Sequence, residues 1–260
     1  VLECVINVSE GRNHAILDSL AQSCAGDLLD IHSDPDHNRS VFTMVGVDAP
    51  RALARTAVSA LSLNDHSGVH PRIGVVDVVP FVPLVDSTMH DARIARDEFA
   101  TWATSELKVP CFFYGAERTL PDIRKNAWTS LMPSAGTLSP HPTAGAMCVG
   151  AREPLVAYNL WLEDVDLATT HRIASSVRTA NIRTLGLQVG AFTQVSVNLI
   201  QPMIAGPNDI FSAVSQHATV HHAELVGLLP ASVLSVIPRA RWEDLDLSVE
   251  QTIEWRLTNR

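Results

Sequence analysis

The densest run of side chains able to do chemistry is Asp65-His66-Ser67-Gly68-Val69-His70-Pro71-Arg72-Ile73-Gly74, set directly before the apolar run Val75-Val76-Asp77-Val78-Val79-Pro80. Imidazole titrates near neutrality, so a histidine here can take up and return a proton at physiological pH. His66 and His70 are four residues apart, the spacing at which two rings share one face of a helix and hold a metal. Gly68 and Pro71 argue against a helix, and Pro71 pushes His70 toward extended backbone, so that its ring is aimed from a stiff segment. A positioned base is one reading, and a pair of hydrogen-bonded loop histidines is the other. A second polar stretch, His32-Ser33-Asp34-Pro35-Asp36-His37-Asn38-Arg39, adds carboxylates and imidazoles, and His141 stands further on. The spacing of these groups matches no zinc or calcium loop, and no metal is expected.

These residues need elements to position them. Residues 2–8 read as a strand and 13–25 as a helix, with apolar side chains recurring at Ile16, Leu17, Leu20 and Ala21. Residues 28–31 and 41–45 read as strands bracketing the polar stretch, and 50–63 as an alanine-rich helix. A continuous apolar strand follows at 75–82, then a long amphipathic helix at 88–107 and a strand at 109–114. From 127 to 143 the pattern dissolves into Pro, Ser, Gly and Thr, a loop long enough to suggest binding or a domain connection. Beyond it come a strand at 155–162, a helix at 167–180, strands at 185–189 and 194–200, a helix at 209–218 and a strand at 223–228. The order β-α-β-β-α-β thus occurs twice. The expected class is α+β, with two ferredoxin-like subdomains, residues 1–151 and 152–260, each a sheet with helices on one face, and a ligand cleft between them. The charged segment 239–247 reads as a surface helix or a tail docking on the second half.

Composition narrows the function classes. The chain has 260 residues, 46% hydrophobic and 18% charged, a globular mixture able to bury a core. A net charge of −9 disfavours a broad nucleic-acid surface, so no nucleic-acid partner is expected. Mean hydropathy is +0.12, and charged, Pro or Gly residues interrupt every long apolar run, so no membrane span is expected. Cys4, Cys24, Cys111 and Cys148 are scattered, and no signal-peptide core precedes Val1, which together suggest a reduced, cytoplasmic protein with its thiols packed as small hydrophobes. The P-loop, dinucleotide and nucleophile-elbow motifs do not occur.

His66-Ser67-Gly68-Val69-His70-Pro71-Arg72-Ile73-Gly74, with the Asp-Val-Val-Pro-Phe-Val-Pro run from Asp77 to Pro83, resembles the signature of the formiminotransferase domain, the glutamate formimidoyltransferase family. The resemblance extends along most of the chain. It includes Asn7 with Ser9-Glu10-Gly11-Arg12-Asn13, Asn38-Arg39-Ser40-Val41, Arg118-Thr119-Leu120-Pro121 with Ile123-Arg124, Gly150-Ala151-Arg152, Gln194-Val195-Ser196 and Glu224-Leu225-Val226-Gly227-Leu228, in family order.

The resemblance implies two ferredoxin-like subdomains, a homodimer, and transfer of a formimino group from N-formimino-L-glutamate to N5 of tetrahydrofolate, a step of one-carbon metabolism and histidine degradation. Tetrahydrofolate would be the acceptor substrate, with a formimino amino acid as the other small-molecule partner. The catalytic histidine of the family falls on His70. Mammalian members carry a carboxylate where this chain has His32, so His32 is the second catalytic candidate, with Asp34 and Asp36 nearby. The folate-contacting loop falls on Gly136, Thr137, Leu138, Ser139, Pro140, His141, Pro142, Thr143, Ala144 and Gly145, and Asn7, Asn38 and Arg72 join it as substrate-binding candidates. Arg72 and Arg152 are candidates for the glutamate tail of the folate. Val69 replaces an acidic residue of those relatives, and Ser134-Ala135-Gly136-Thr137 replaces their Asp-Phe-Gly-Pro. A related folate enzyme with another one-carbon donor, such as 5-formyltetrahydrofolate, and a non-catalytic folate-binding homologue are the alternative readings.

Overall fold

The computed structural model describes residues 1–69 and 71–259, which divide into two compact units, Val1–Glu153 and Pro154–Arg260. In the first unit, β1 (Leu2–Val8), α1 (His14–Ser23), β2 (Leu28–Asp34), β3 (Arg39–Val45), α2 (Asp48–Ala60) and β4 (Val76–Pro83) form the β-α-β-β-α-β unit. They are followed by α3 (Met89–Trp102), β5 (Cys111–Tyr114), α4 (Leu120–Asn126) and β6 (Met147–Ala151). The strands lie in the order β2-β3-β1-β4-β6-β5. The first four are antiparallel neighbours, and β6 runs parallel to both β4 and β5.

Local chemistry fixes the helix starts. Asn13 caps α1, its side-chain oxygen accepting the Ile16 N–H at 3.2 Å. Thr88 with Asp91 and Thr119 with Asp122 form capping boxes that start α3 and α4. The expected helix 88–107 stops being α-helical at Trp102, widens into a π-type turn over Ala103–Leu107, and ends at Lys108 in the left-handed conformation. Pro110, two residues on, cannot continue a helix.

Two apolar layers flank the first sheet, whereas the sequence led to helices on one face only. Ile6, Phe42, Met44, Phe81 and Phe99 belong to a core shared with α1, α2 and α3. Phe112 and Tyr114 of β5, Cys148 of β6 and Ala146 just before it join Ile123 of α4 in a second cluster. Sequence reading missed both α4 and β6. The helix has only two turns, and β6 is the five-residue run Met147-Cys148-Val149-Gly150-Ala151, ending in the poor strand formers Gly and Ala. The glycine has a cause: a Cβ on Gly150 would collide with the Tyr114 ring of neighbouring β5.

The second unit repeats the plan with β7 (Val156–Leu162), α5 (Leu167–Ser176), β8 (Ile182–Val189), β9 (Phe192–Leu199), α6 (Pro207–Ser215) and β10 (Val220–Val226), in the antiparallel order β10-β7-β9-β8. This is the same order as the first four strands of unit one, so the α+β, twice ferredoxin-like reading holds. Two short helices missed in the sequence, α7 (Ala231–Ser235) and α8 (Ile253–Thr258), close the chain. The charged segment between them docks firmly on this unit. Leu245 and Leu247 are buried in its core, the Tyr158 hydroxyl donates to the Leu245 carbonyl at 2.6 Å, and the Asp246 carboxylate accepts the Leu225 N–H at 2.9 Å. Among the described residues no helix is long and apolar enough to cross a membrane.

All four cysteines are free and buried. Burial pushes the thiol of Cys24 up to about 11 and that of Cys111 to about 12, and raises Cys4 and Cys148 as well. The native protein is therefore expected to leave Ellman's reagent unreacted at pH 8, and all four thiols are expected to titrate in guanidinium. Gly74 gives a second test, because a Cβ there would land on the Ala146 carbonyl oxygen. Gly74→Ala is expected to destabilise unit one by about 3 kcal/mol in urea unfolding. Gly26→Ala, with nothing within 4 Å of the new methyl, is expected to stay within about 0.5 kcal/mol.

Candidate functional site

The site starts at the tip of the β2–β3 hairpin. Asp34 Oδ1 accepts the N–H groups of Asp36 and His37 at 2.8 and 2.9 Å, folding the polar stretch into a tight turn. The turn ends at Asn38, whose φ of 48° is in the left-handed region that asparagine tolerates better than most residues. Asn38 is buried, and its amide joins three segments. Its Oδ1 accepts the Gly11 N–H at 2.9 Å, its Nδ2 donates to the Ser67 carbonyl at 2.9 Å, and Nδ2 also stands 3.1 Å from His66 Nδ1.

A second set of bonds ties the same loop to the sheet. Ser9 donates through N–H to the Val75 carbonyl and through Oγ to the Gly74 carbonyl, both at 2.8 Å. The buried Asp77 carboxylate accepts the Ile73 N–H at 2.7 Å on one oxygen and Arg124 Nη2 at 2.5 Å on the other. Helix α4 thus anchors the segment after Arg72 through a largely buried ion pair, the kind whose disruption leaves an uncompensated charge. Arg72 Nη2 folds back to the Gly68 carbonyl at 2.9 Å. The result is a small polar recess lined by Ser9, His37, Asn38, Arg39, His66, Arg72 and Asp77. Burial, reinforced by the Arg72 guanidinium, holds the His66 pKa below the ordinary imidazole value, so its ring is neutral at pH 7.

The loop expected to meet folate has an exposed part and an anchored part. Gly136 through Pro140 are exposed, whereas Ala144 and Gly145 are buried. Ala135 bridges to Cys111 at the start of β5. At the other end His141 and Gly145 exchange backbone hydrogen bonds at 2.8 and 3.0 Å, and His141 Nδ1 accepts the Ala144 N–H at 3.0 Å. Gly145 bridges to Gly74, Ala146 N–H donates to the Ile73 carbonyl and Leu63 N–H to the Thr143 carbonyl. The anchored half therefore lies against the backbone that follows Arg72.

Of the residues singled out in the sequence, His37, Asn38, His66 and Arg72 line the recess, and His141 through Gly145 pack beside it. His70 lies outside the described residues. His32 and Asn7 are both half-buried on the sheet, in one register row that runs His32–Val41–Asn7–Val78 across β2, β3, β1 and β4. Two strand spacings put them about 10 Å apart. Arg152 sits just past β6, where its N–H donates to the Phe81 carbonyl and its Nη1 to the Glu153 carbonyl. Among the described residues no three His, Cys, Asp or Glu side chains gather as a metal site. Asp77 and Arg39 were not singled out. For Asp77 the signal was available: it is a carboxylate inside an otherwise apolar strand, and such a charge needs a partner.

Comparison with known proteins identifies the family. Residues 1–152 match the formiminotransferase domain, N-terminal subdomain. The chain is 34% identical over 270 residues to a glutamate formimidoyltransferase of Streptococcus pyogenes serotype M1, covering 90% of both chains. It is 31% identical to a glutamate formimidoyltransferase of Thermoplasma acidophilum, covering 90% of this chain and 89% of that one. With the formimidoyltransferase-cyclodeaminase of Rattus norvegicus it shares 30% identity and spans about half, 51%, of that longer protein. The match to the domain and the near full-length likeness to these transferases place the chain in the formiminotransferase family.

Proposed function

We propose that this chain is a folate-dependent transferase that moves the formimino group of N-formimino-L-glutamate to N5 of tetrahydrofolate. The observation that carries the reading is the 34% identity, over 90% of both chains, with a protein named glutamate formimidoyltransferase. The polar recess lined by Asn38, His66 and Arg72 supports it, because it gathers buried polar groups able to hold a small polar molecule.

In the reaction N5 of tetrahydrofolate attacks the amidine carbon, and the carbon–nitrogen bond to glutamate then breaks. The proton lost by N5 is the one the departing glutamate nitrogen gains, so a single shuttle suffices. His70 is assigned that role, since a histidine titrates in the range that lets it act first as base and then as acid. Asn38, Arg72 and the 136–145 loop are assigned to substrate binding, with the exposed residues Gly136, Thr137, Leu138, Ser139 and Pro140 offered to the folate. Asn7 and His32, in one register row of the same sheet, are assigned to the reacting groups, His32 standing where mammalian relatives have a carboxylate. Holding both substrates together supplies much of the remaining acceleration. Residues 152–260 are read as the formiminotransferase C-terminal subdomain, and the enzyme as a cytoplasmic homodimer.

Purified protein given tetrahydrofolate and N-formimino-L-glutamate is expected to form 5-formiminotetrahydrofolate, followed by its absorbance. His70→Ala is expected to lose turnover by about 10²–10⁴-fold while calorimetric titration shows folate binding retained. Undiminished turnover in that variant would remove His70 from the mechanism, and folate binding by the wild type without turnover would favour a different one-carbon donor.

A further inference from the structure

His66 lines the recess, and its Nε2 is buried with no hydrogen-bond partner among the described residues. The orientation of the Asn38 amide is fixed by its partners: the Gly11 N–H can only donate, so it meets Oδ1, and the Ser67 carbonyl can only accept, so it meets Nδ2. The atom that Asn38 turns toward His66 Nδ1 is therefore a donor, and His66 Nδ1 is the acceptor. A neutral ring then carries its proton on Nε2.

We propose that His66 is a further ligand-binding residue, whose Nε2–H donates to a carboxylate oxygen of the small anionic substrate. The inference rests on the functional reading above, and assigns to this recess one carboxylate of the formimino amino acid. The surroundings select an acceptor of negative charge. Arg39 and Arg72 are among the residues that line the same recess. Its one carboxylate, Asp77, already receives the Ile73 N–H and Arg124. An unfilled buried N–H is costly, and a carboxylate oxygen satisfies it with a charge-assisted bond. Burial and the Arg72 charge depress the imidazole pKa, which keeps the ring neutral and the tautomer fixed by Asn38.

The test uses the full chain with ¹⁵N-labelled histidine. At pH 7 the His66 ring is expected to show the neutral Nε2–H tautomer, and titration with N-formimino-L-glutamate or L-glutamate is expected to shift its Nε2 resonance with saturation. An Nδ1–H tautomer, or an Nε2 signal unmoved by both amino acids, would overturn the proposal. This arm does not depend on turnover, so it separates failure of the His66 assignment from failure of the reaction assigned to the enzyme. In the transfer assay His66→Phe is expected to raise KM for N-formimino-L-glutamate by about 10- to 100-fold, the range for a hydrogen bond to a charged group, with kcat and KM for tetrahydrofolate within about twofold. His66→Gln, whose amide N–H reaches the place of Nε2, is expected to restore most of that loss. An unchanged KM in His66→Phe, or no recovery in a folded His66→Gln, would contradict it.

Discussion

The side-chain amide of Asn38 is the interaction on which the geometry of the site depends. A hairpin tip, the exit of β1 and the loop ahead of β4 are distant in sequence, and one planar group with two donors and one acceptor holds them together. An amide cannot be replaced there by a carboxylate or a hydroxyl without leaving at least one buried partner unmet, and a buried unmet group costs about 1–3 kcal/mol. The left-handed backbone at Asn38 adds a second condition that few side chains meet. The same amide also decides where the proton of His66 sits, so a structural constraint becomes a chemical one.

Close backbone approach supplies the other half of the arrangement. Gly11 and Gly68 leave no room for a Cβ against the hairpin backbone at Asp34 and His37, and Gly74 leaves none against Ala146. These contacts let Ser9, the His66 loop and the anchored half of the 136–145 loop share a single wall. Asp77 and Arg124 then brace that wall from α4. A site assembled this way is pre-organised, because its donors are held by main-chain packing before any ligand arrives.

The ferredoxin-like order was readable because long apolar strands and amphipathic helices carry their period in the sequence, as in β1, β4 and β7. Elements with weak periods were not. β6 has only five residues, one of them a glycine required by the Tyr114 ring, and α4 and α7 are too short to display a helical stripe. The docking of Leu245 and Leu247 was likewise hidden among the charges of their segment. At the site, the histidine-rich loop drew notice by composition alone, and Asn38 and Arg72 entered through the family resemblance. The partnership of Asp77 with Arg124, and the tautomer of His66, depend on contacts between residues dozens of positions apart, which no local pattern records.

The most direct measurement of the central claim is the fate of a doubly labelled donor, N-formimino-L-glutamate with ¹³C at the amidine carbon and ¹⁵N at its terminal nitrogen, incubated with the protein and tetrahydrofolate and analysed by mass spectrometry. Formimino transfer delivers both labels together to the folate and releases unlabelled glutamate. Carbon arriving without its nitrogen, or both labels lost to solvent as formate and ammonia while the folate stays unlabelled, would contradict the account.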